Sequence, residues 1–347
     1  MSRRKSSLYL GVLVVLVAAF SVLPARNGHA QQWQLVPEVS FSTFSVGWPL
    51  ADTAITGFDL LQARNGAYLQ LGYGLSLQRD YYLLIPDRES AVQLFGGYEQ
   101  LGATGSDGQN IQLTRTYVRF SLDQVLLGDR VRANRYLMLS LSNTSRWVLP
   151  HGATADDADT DFFTHTPDLR LSFKVAEQPD FWQVLGLSGS IGAALESGHT
   201  RVAEPWAFLV GRAELGASLP LLRHWLYLET HGGIRTFLTD LNPGAEHPVW
   251  YYPDDHTRAL ATASVDLKSR VLRTNPMIPL GVELGAGIGG RIEAGGLRDL
   301  DPGTVEPVAR VFVDLAVDST PMFAFRLRSG VTWHVPTGEV GLLFAVQ

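Results

Sequence analysis

Apolar and polar residues alternate along most of this chain with a period of two. In residues 67–77 the odd positions carry Ala, Leu or Tyr, whereas the even positions carry Tyr, Gln, Gly or Ser. Residues 169–175 and 322–335 repeat the pattern. Because successive side chains of a β-strand point to opposite faces, this period predicts strands with one apolar and one polar face.

Reading the chain in this way predicts an all-β fold with about fourteen strands, although 12 or 16 strands also fit the pattern. No long stretch after the first thirty residues has the 3.6-residue period of a helix. The predicted strands lie near residues 33–43, 67–77, 91–100, 111–122, 131–147, 168–176, 183–196, 204–219, 224–238, 257–271, 279–294, 305–318, 322–335 and 338–347.

The connections between these segments alternate between a mostly long and a mostly short set. The first set comprises 44–66, 101–110, 148–167, 197–203, 239–256, 295–304 and a tight turn at 336–337. The second comprises 78–90, 123–130, 177–182, 220–223, 272–278 and 319–321. An even strand count with long connections at one end predicts a single antiparallel transmembrane barrel, with short periplasmic turns and longer external loops.

The first thirty residues have the features of a secretory signal. A basic start, MSRRKSS, is followed by an apolar stretch and by Gly28-His29-Ala30, with small residues at the last and third-last positions. This predicts a signal peptide at 1–30, cleaved after Ala30, and a barrel at 31–347. A retained membrane anchor is the alternative, but Ser21 and Pro24 interrupt a short apolar run.

Charge and cysteine content exclude several classes of function. The chain has 28 basic and 34 acidic residues, and four of the basic residues lie in the leader, so the mature chain has 24 basic residues and a net charge of −10. Nucleic acid is therefore not expected as a partner. The chain contains no cysteine, which excludes disulfides and thiolate-bound metals.

In these patterns the mature chain resembles the bacterial outer-membrane β-barrels. Such proteins commonly end in a strand of alternating apolar residues with a terminal aromatic; this chain ends EVGLLFAVQ, which alternates but closes on Gln347. The resemblance implies location in the outer membrane of a Gram-negative bacterium after export. It also implies membrane lipid, lipopolysaccharide, the barrel-assembly machinery and small solutes as partners.

The width of such a barrel indicates which face meets lipid. Fourteen strands enclose a lumen too wide for small side chains to fill, so the charged faces are predicted to line it. We therefore expect a passive channel for small solutes, with a lipid- or polymer-modifying enzyme and a non-conducting structural barrel as alternatives. The candidate lumen and constriction residues are Arg310, Asp314, Arg326, Arg328, Glu283 and Arg291.

Aromatic residues lie near many segment ends, as the interfacial girdles of membrane barrels require. Some of them are expected to be ordinary sheet residues. The candidates are Trp33, Trp147, Trp182, Trp206, Trp225, Tyr227 and Trp333.

Residues 281–296 contain a glycine motif with the spacing G-x-G-x-x-G, formed by Gly285, Gly287 and Gly290. A dinucleotide site would need a doubly buried strand before it and a helix after it. Instead the two-residue period continues, with Glu283 on the polar face, and turn residues follow. The glycines are therefore expected on the lumenal face, where they leave space or admit a bulky neighbour.

The most acidic stretch, within 151–168, suggests a calcium loop only weakly. Asp157, Asp159 and Asp161 match its first three ligand positions and Asp168 the twelfth, but Phe162 stands where the loop needs glycine. A solvated acidic external loop is the alternative. No other cofactor is expected.

The histidines of the chain suggest an enzyme as an alternative to a channel. Glu229 and His231 share one strand face, so the carboxylate could orient the imidazole. A nucleophilic enzyme would also need a serine hydroxyl beside His231, His247 or His334. Because no local motif supports such a site, the chain is predicted not to be an enzyme.

Overall fold

The computed structural model describes fourteen strands, connected in chain order. The described residues are 34–44, 63–79, 88–105, 110–129, 135–148, 162–176, 185–200, 205–222, 225–242, 259–273, 280–294, 300–301, 305–320 and 323–346. The strands are β1 Gln34–Phe44, β2 Ala63–Arg79, β3 Ser90–Gly105, β4 Asn110–Asp129, β5 Arg135–Val148, β6 Phe162–Ala176, β7 Gly186–Thr200, β8 Trp206–Leu222, β9 Leu226–Asp240, β10 Ala259–Arg273, β11 Leu280–Ala294, β12 Glu306–Thr320, β13 Phe323–His334 and β14 Val340–Val346.

Every strand pairs antiparallel with its neighbours in the chain, and β1 pairs with β14 to close the barrel. The closing register joins Phe41 to Val346 and Ser42 to Ala345. The predicted all-β barrel of fourteen strands is confirmed, although β6 begins at Phe162 instead of near 168. The described residues include no helix long and apolar enough to cross a membrane. The predicted signal peptide at 1–30 lies outside the described residues.

The outer surface of the barrel is apolar and its inner surface is polar, the reverse of a soluble barrel. The two-residue period produces this difference, because alternate residues of each strand face outward. Large apolar side chains are exposed on the outer face, among them Leu75, Leu141, Leu169, Ile191, Leu215, Leu284, Val311 and Val331. Charged side chains are buried on the inner face, among them Glu99, Arg115, Asp266, Lys268, Arg310 and Asp314. This is the arrangement of a transmembrane β-barrel.

The predicted asymmetry of the connections is present. The longest intervals between strands, 45–62, 149–161 and 241–258, all follow odd-numbered strands and therefore share one end of the barrel. Short intervals such as 223–225 and 321–322 follow even-numbered strands at the other end.

Candidate functional site

Two arginine–aspartate pairs lie side by side on the lumenal wall of the C-terminal strands. Arg328 binds Asp314 through two hydrogen bonds, from Nε at 2.7 Å and Nη2 at 2.9 Å. Arg310 binds Asp266 in the same two-pronged way, with its Nε at 2.9 Å from Oδ1. All four side chains are buried. Paired geometry of this kind is the strongest form of arginine–carboxylate contact.

The ring of Phe312 contacts the arginines of both pairs. The Phe312 ring lies 4.9 Å from the Arg310 guanidinium carbon and 4.4 Å from that of Arg328. The Lys268 ammonium is 5.7 Å from the same ring, has no exposed side-chain surface, and forms ion pairs with Glu229 and, at 3.6 Å, with Asp314. The face of an aromatic ring attracts cations, so Phe312 lets three of them share a small area of wall.

The remaining predicted lumen residues are placed differently. Glu283 accepts a hydrogen bond from Tyr227 Oη and forms an ion pair with Arg270 at 3.5 Å. Arg291 lies in β11 opposite Thr262 and Glu306, at the end of the barrel that carries the longer connections. Position 326 lies in β13 opposite Ala316, and the Arg326 side chain is outside the described part of the structure.

The glycine motif forms no phosphate cradle, because Gly285, Gly287 and Gly290 all lie within β11. A Cβ atom at Gly285 would stand 2.5 Å from Cε2 of Phe312, and one at Gly287 would stand 2.9 Å from Cγ of Asp266. Gly285 and Gly287 have the second of the two expected roles, since a ring and a carboxylate occupy the space that their side chains would need. The lumenal placement was wrong for Gly290, which shares strand parity with the exposed Leu284 and Ile288 and so lies on the outer face.

A second buried cluster lies on β2 to β5, centred on Glu99. Its carboxylate binds Arg115 Nε and Arg146 Nε, each at 3.0 Å, and accepts a hydrogen bond from Tyr68 Oη at 3.1 Å. Glu99 was not among the residues predicted to line the lumen. Strand parity indicates its lumenal position, because Glu99 shares a face with Gly97 and Phe95 and not with the exposed Leu94.

A longer connection on the same wall joins β4 to β1. Tyr117 Oη and Arg119 Nη2 each donate a hydrogen bond to Glu38 at 2.6 Å. The contact passes over the two intervening strands because Gly72 and Gly97 lie in the same register row. A Cβ at Gly72 would stand 3.2 Å from Cζ of Tyr117. Glycine here lets an aromatic ring lie against the wall.

Further ion pairs lie on β6 to β9, where Arg212 binds Asp168 and Arg235 binds Glu196. The first corrects the suggestion that Asp168 completes a calcium loop, because Asp168 lies within β6 and is held by Arg212. Asp157, Asp159 and Asp161 are outside the described residues. Within the described ranges, no three histidine or acidic residues are grouped to hold a metal ion.

The lumenal contacts share one geometric property. The eleven ion pairs resolved between described residues link strands that are neighbours, two apart or three apart around the barrel. These pairs therefore run along the wall. Pairs in this arrangement brace the wall without crossing the lumen.

The aromatic residues divide between the two faces. Trp147, Trp225 and Trp333 are exposed on the outside, at 43%, 66% and 50%, as a girdle requires. Trp206 and Tyr227 are not girdle residues: they are 1% and 5% exposed and lie on the lumenal face, because they share strand parity with Arg212 and Glu229. They belong to the ordinary sheet residues expected among the candidates. Trp33 and Trp182 lie outside the described residues.

The histidines named for catalysis have other surroundings. His334 Nδ1 lies 2.7 Å from Thr337 Oγ1, and its Nε2 lies 3.9 Å from Glu306. Glu229, expected to orient His231, forms an ion pair with Lys268. His247 is outside the described part of the chain.

One serine–histidine contact was not anticipated. Ser145 Oγ and His165 Nδ1 are 2.8 Å apart on β5 and β6, directly opposite each other in the register. They lie on the outer face, one register row from the tilted Trp147–Phe163 ring pair. Pairing between strands brought them together, so periodicity alone could not have indicated the contact.

No family model matches the chain, and no curated protein matches it by sequence. Among solved structures, it is similar to BamA from Haemophilus ducreyi lacking POTRA domains 1-3, with 10% sequence identity and a TM-score of 0.47. That similarity covers 90% of this chain and 70% of the BamA chain. A likeness at this level says nothing about function.

Proposed function

We propose that this chain is a passive channel for small solutes in a bacterial outer membrane. The wall of such a channel must be apolar towards lipid and polar towards water, with its charges satisfied locally so that the lumen remains passable. The outer leaflet would supply lipopolysaccharide around the barrel, and the barrel-assembly machinery would insert it.

The observation that carries this proposal is the direction of the lumenal ion pairs. Arg328 and Asp314 pair between neighbouring strands, and Tyr117 reaches Glu38 by lying over glycines. A barrel with a purely structural role would gain most stability from ion pairs that cross the lumen, because such pairs would fill the lumen. Pairs that follow the wall support a water-filled path.

Planar-bilayer recording tests the proposal. We expect purified, folded protein to insert and produce discrete conductance steps in potassium chloride. Heat-denatured protein at the same detergent concentration is the control and should produce none. Correctly folded protein that inserts into vesicles yet gives no current would refute the channel.

A second candidate function is hydrolysis of membrane lipid at the outer face. The specific observation in its favour is the Ser145–His165 contact of 2.8 Å, since a histidine beside a serine hydroxyl can accept its proton. Release of fatty acid from phospholipid vesicles, lost in a Ser145→Ala variant, would support this function over that of a channel.

A further inference from the structure

The lumenal wall is uneven around the barrel. On β10 to β13, Lys268 is 0% exposed and Asp314 is 1% exposed, whereas the Glu306 side chain nearer the end of β12 is 39% exposed. On β8 and β9, side-chain exposure is 12% at Arg212, 20% at Arg235 and 38% at Glu229. Solvent therefore reaches lumenal charges on β8 and β9, as it also reaches Arg119 of β4, at 27%.

Three arginines lie in one register row on β6 to β9. Arg170 of β6 is opposite Gly192 of β7, Gly192 is opposite Arg212 of β8, and Arg212 is opposite Arg235 of β9. We call Arg170, Arg212 and Arg235 the arginine row. Gly192 leaves the space between the first two guanidinium groups without a side chain.

This row carries an electrostatic cost. Like charges directly opposite each other on neighbouring strands are destabilising, and Arg212 and Arg235 are such a pair. Their ion pairs with Asp168 and Glu196 offset part of that cost. Glu214 lies in the next row and accepts a hydrogen bond from Ser190 at 3.4 Å.

Arg170 differs from the other two arginines. It pairs with no carboxylate among the described residues, and its Nε is buried without a hydrogen-bond partner. A buried donor of this kind is costly unless a ligand satisfies it. The Nε atoms of Arg212 and Arg235 are likewise buried without a hydrogen-bond partner, so Arg170 differs from them only in having no carboxylate partner in the described part of the chain.

The neighbouring rows leave room beside these donors. The next lumenal row carries Ser172, Ser190, Glu214, Gly233 and Thr262, in that order across β6 to β10. The row after it carries Lys174, Ser188, Gly216 and His231, in that order across β6 to β9. The serines and glycines of these two rows contrast with Phe312 and the arginines that cover the wall of β10 to β13.

We propose that the arginine row is a binding site for small anions, carboxylates or phosphates, on the β6 to β9 wall of the lumen. This rests on the proposed channel function and adds its selectivity. Guanidinium groups match carboxylate and phosphate oxygens with paired hydrogen bonds. A bound anion would satisfy Arg170 and reduce the repulsion between Arg212 and Arg235.

The test is selectivity and block in planar bilayers, with Arg170→Gln as the main variant. Removing Arg170 leaves no partner carboxylate orphaned, unlike removal of Arg212. Under a potassium chloride gradient we expect the wild type to prefer chloride, and Arg170→Gln to lower the chloride-to-potassium permeability ratio about two- to fivefold. Inorganic phosphate should block the wild-type chloride current, and Arg170→Gln should weaken that block about tenfold.

Two further variants distinguish a specific anion-binding site from a general effect of the net charge of the lumen. Arg170→Lys keeps the charge without the planar fork, so we expect it to retain chloride preference and lose most of the phosphate block. Lys174→Gln removes one charge from the same face of the same strand, four residues from Arg170, and should change both quantities less. Equal effects of Arg170→Gln and Lys174→Gln would overturn the site, as would cation preference in the wild type.

Failure of the channel is distinguishable from failure of the anion site. Folded wild-type protein without current refutes the channel alone. In that case the site is tested by thermal unfolding in detergent with inorganic phosphate. A rise in Tm that is larger for the wild type than for Arg170→Gln supports the site, and an equal rise overturns it.

Discussion

Substitution of Gly285 by alanine tests the packing of the C-terminal lumenal cluster. The added Cβ would stand 2.5 Å from Cε2 and 2.8 Å from Cε1 of Phe312, whereas ordinary contacts begin at 3.4 Å. Cε2 alone would have to move by 0.9 Å, the difference between 3.4 and 2.5 Å, and Cζ, which lies nearer still, by more. The ring can move only towards the lumen, because the backbone of β11 lies behind it.

This movement disturbs more than one contact. Phe312 is placed between the guanidinium groups of Arg310 and Arg328, whose carbons lie 4.9 and 4.4 Å from its centroid. Overpacking of a filled site costs about 1–3 kcal/mol. Alanine is otherwise better than glycine inside a strand by about 0.5–1 kcal/mol. We expect a net loss in the free energy of unfolding of about 1–2 kcal/mol.

The measurement is urea unfolding in phospholipid vesicles, followed by tryptophan fluorescence. Gly216→Ala is the matched control, because its Cβ would be nearest to Ser188 Oγ, the end of a small side chain, at 3.3 Å, and would lie at ordinary contact distance, 3.6 Å, from His231 Nδ1 and Thr230 O. A double-mutant cycle with Phe312→Leu isolates the contact. In the Phe312→Leu variant, Gly285→Ala should leave the free energy of unfolding unchanged or increase it. An unchanged cost there, or no cost in the wild type, would refute the packing argument.

Three other outcomes follow from the structure. Glu99→Gln leaves the two buried arginines bound to it without their counter-charge, so the free energy of unfolding should fall by about 3–5 kcal/mol, read from the urea midpoint. In single-tryptophan variants, brominated phospholipid should quench Trp147, which faces outward, and spare Trp206, which is 1% exposed in the lumen; the opposite result would invert the two faces. Ser145→Ala should leave fatty-acid release from vesicles at the protein-free level, as in the unsubstituted chain, and release that depends on the hydroxyl would favour the enzyme.

Strand parity explains why part of the candidate site could be predicted. Arg310, Asp314 and Arg328 lie on the polar faces of strongly alternating segments, and all three are lumenal in the structure. Parity could also have found Glu99. Nearness to a strand end was misleading for Trp206, because an aromatic side chain there suits either a lipid interface or a filled lumen. Its parity with Arg212 on β8 gives the lumenal face.

The sequence also left open what surrounds the glycines of the wall. The spacing of Gly285 and Gly287 suggested open space in the wall or a close neighbour. Which of the two occurs depends on Phe312 of β12 and Asp266 of β10, which lie opposite these glycines in the register.

By itself, the sequence determined the period of two, an approximate number of strands, the alternation of connection lengths and which face of each strand is polar. These are local properties, because a side chain's face depends only on its position along its own strand. The partner of each charge was decided only by the tertiary structure. Tyr117 meets Glu38 across 79 residues of chain, and Arg170 joins the arginine row through the register of four strands. Such contacts depend on the shear of the closed barrel, and no segment carries that information alone.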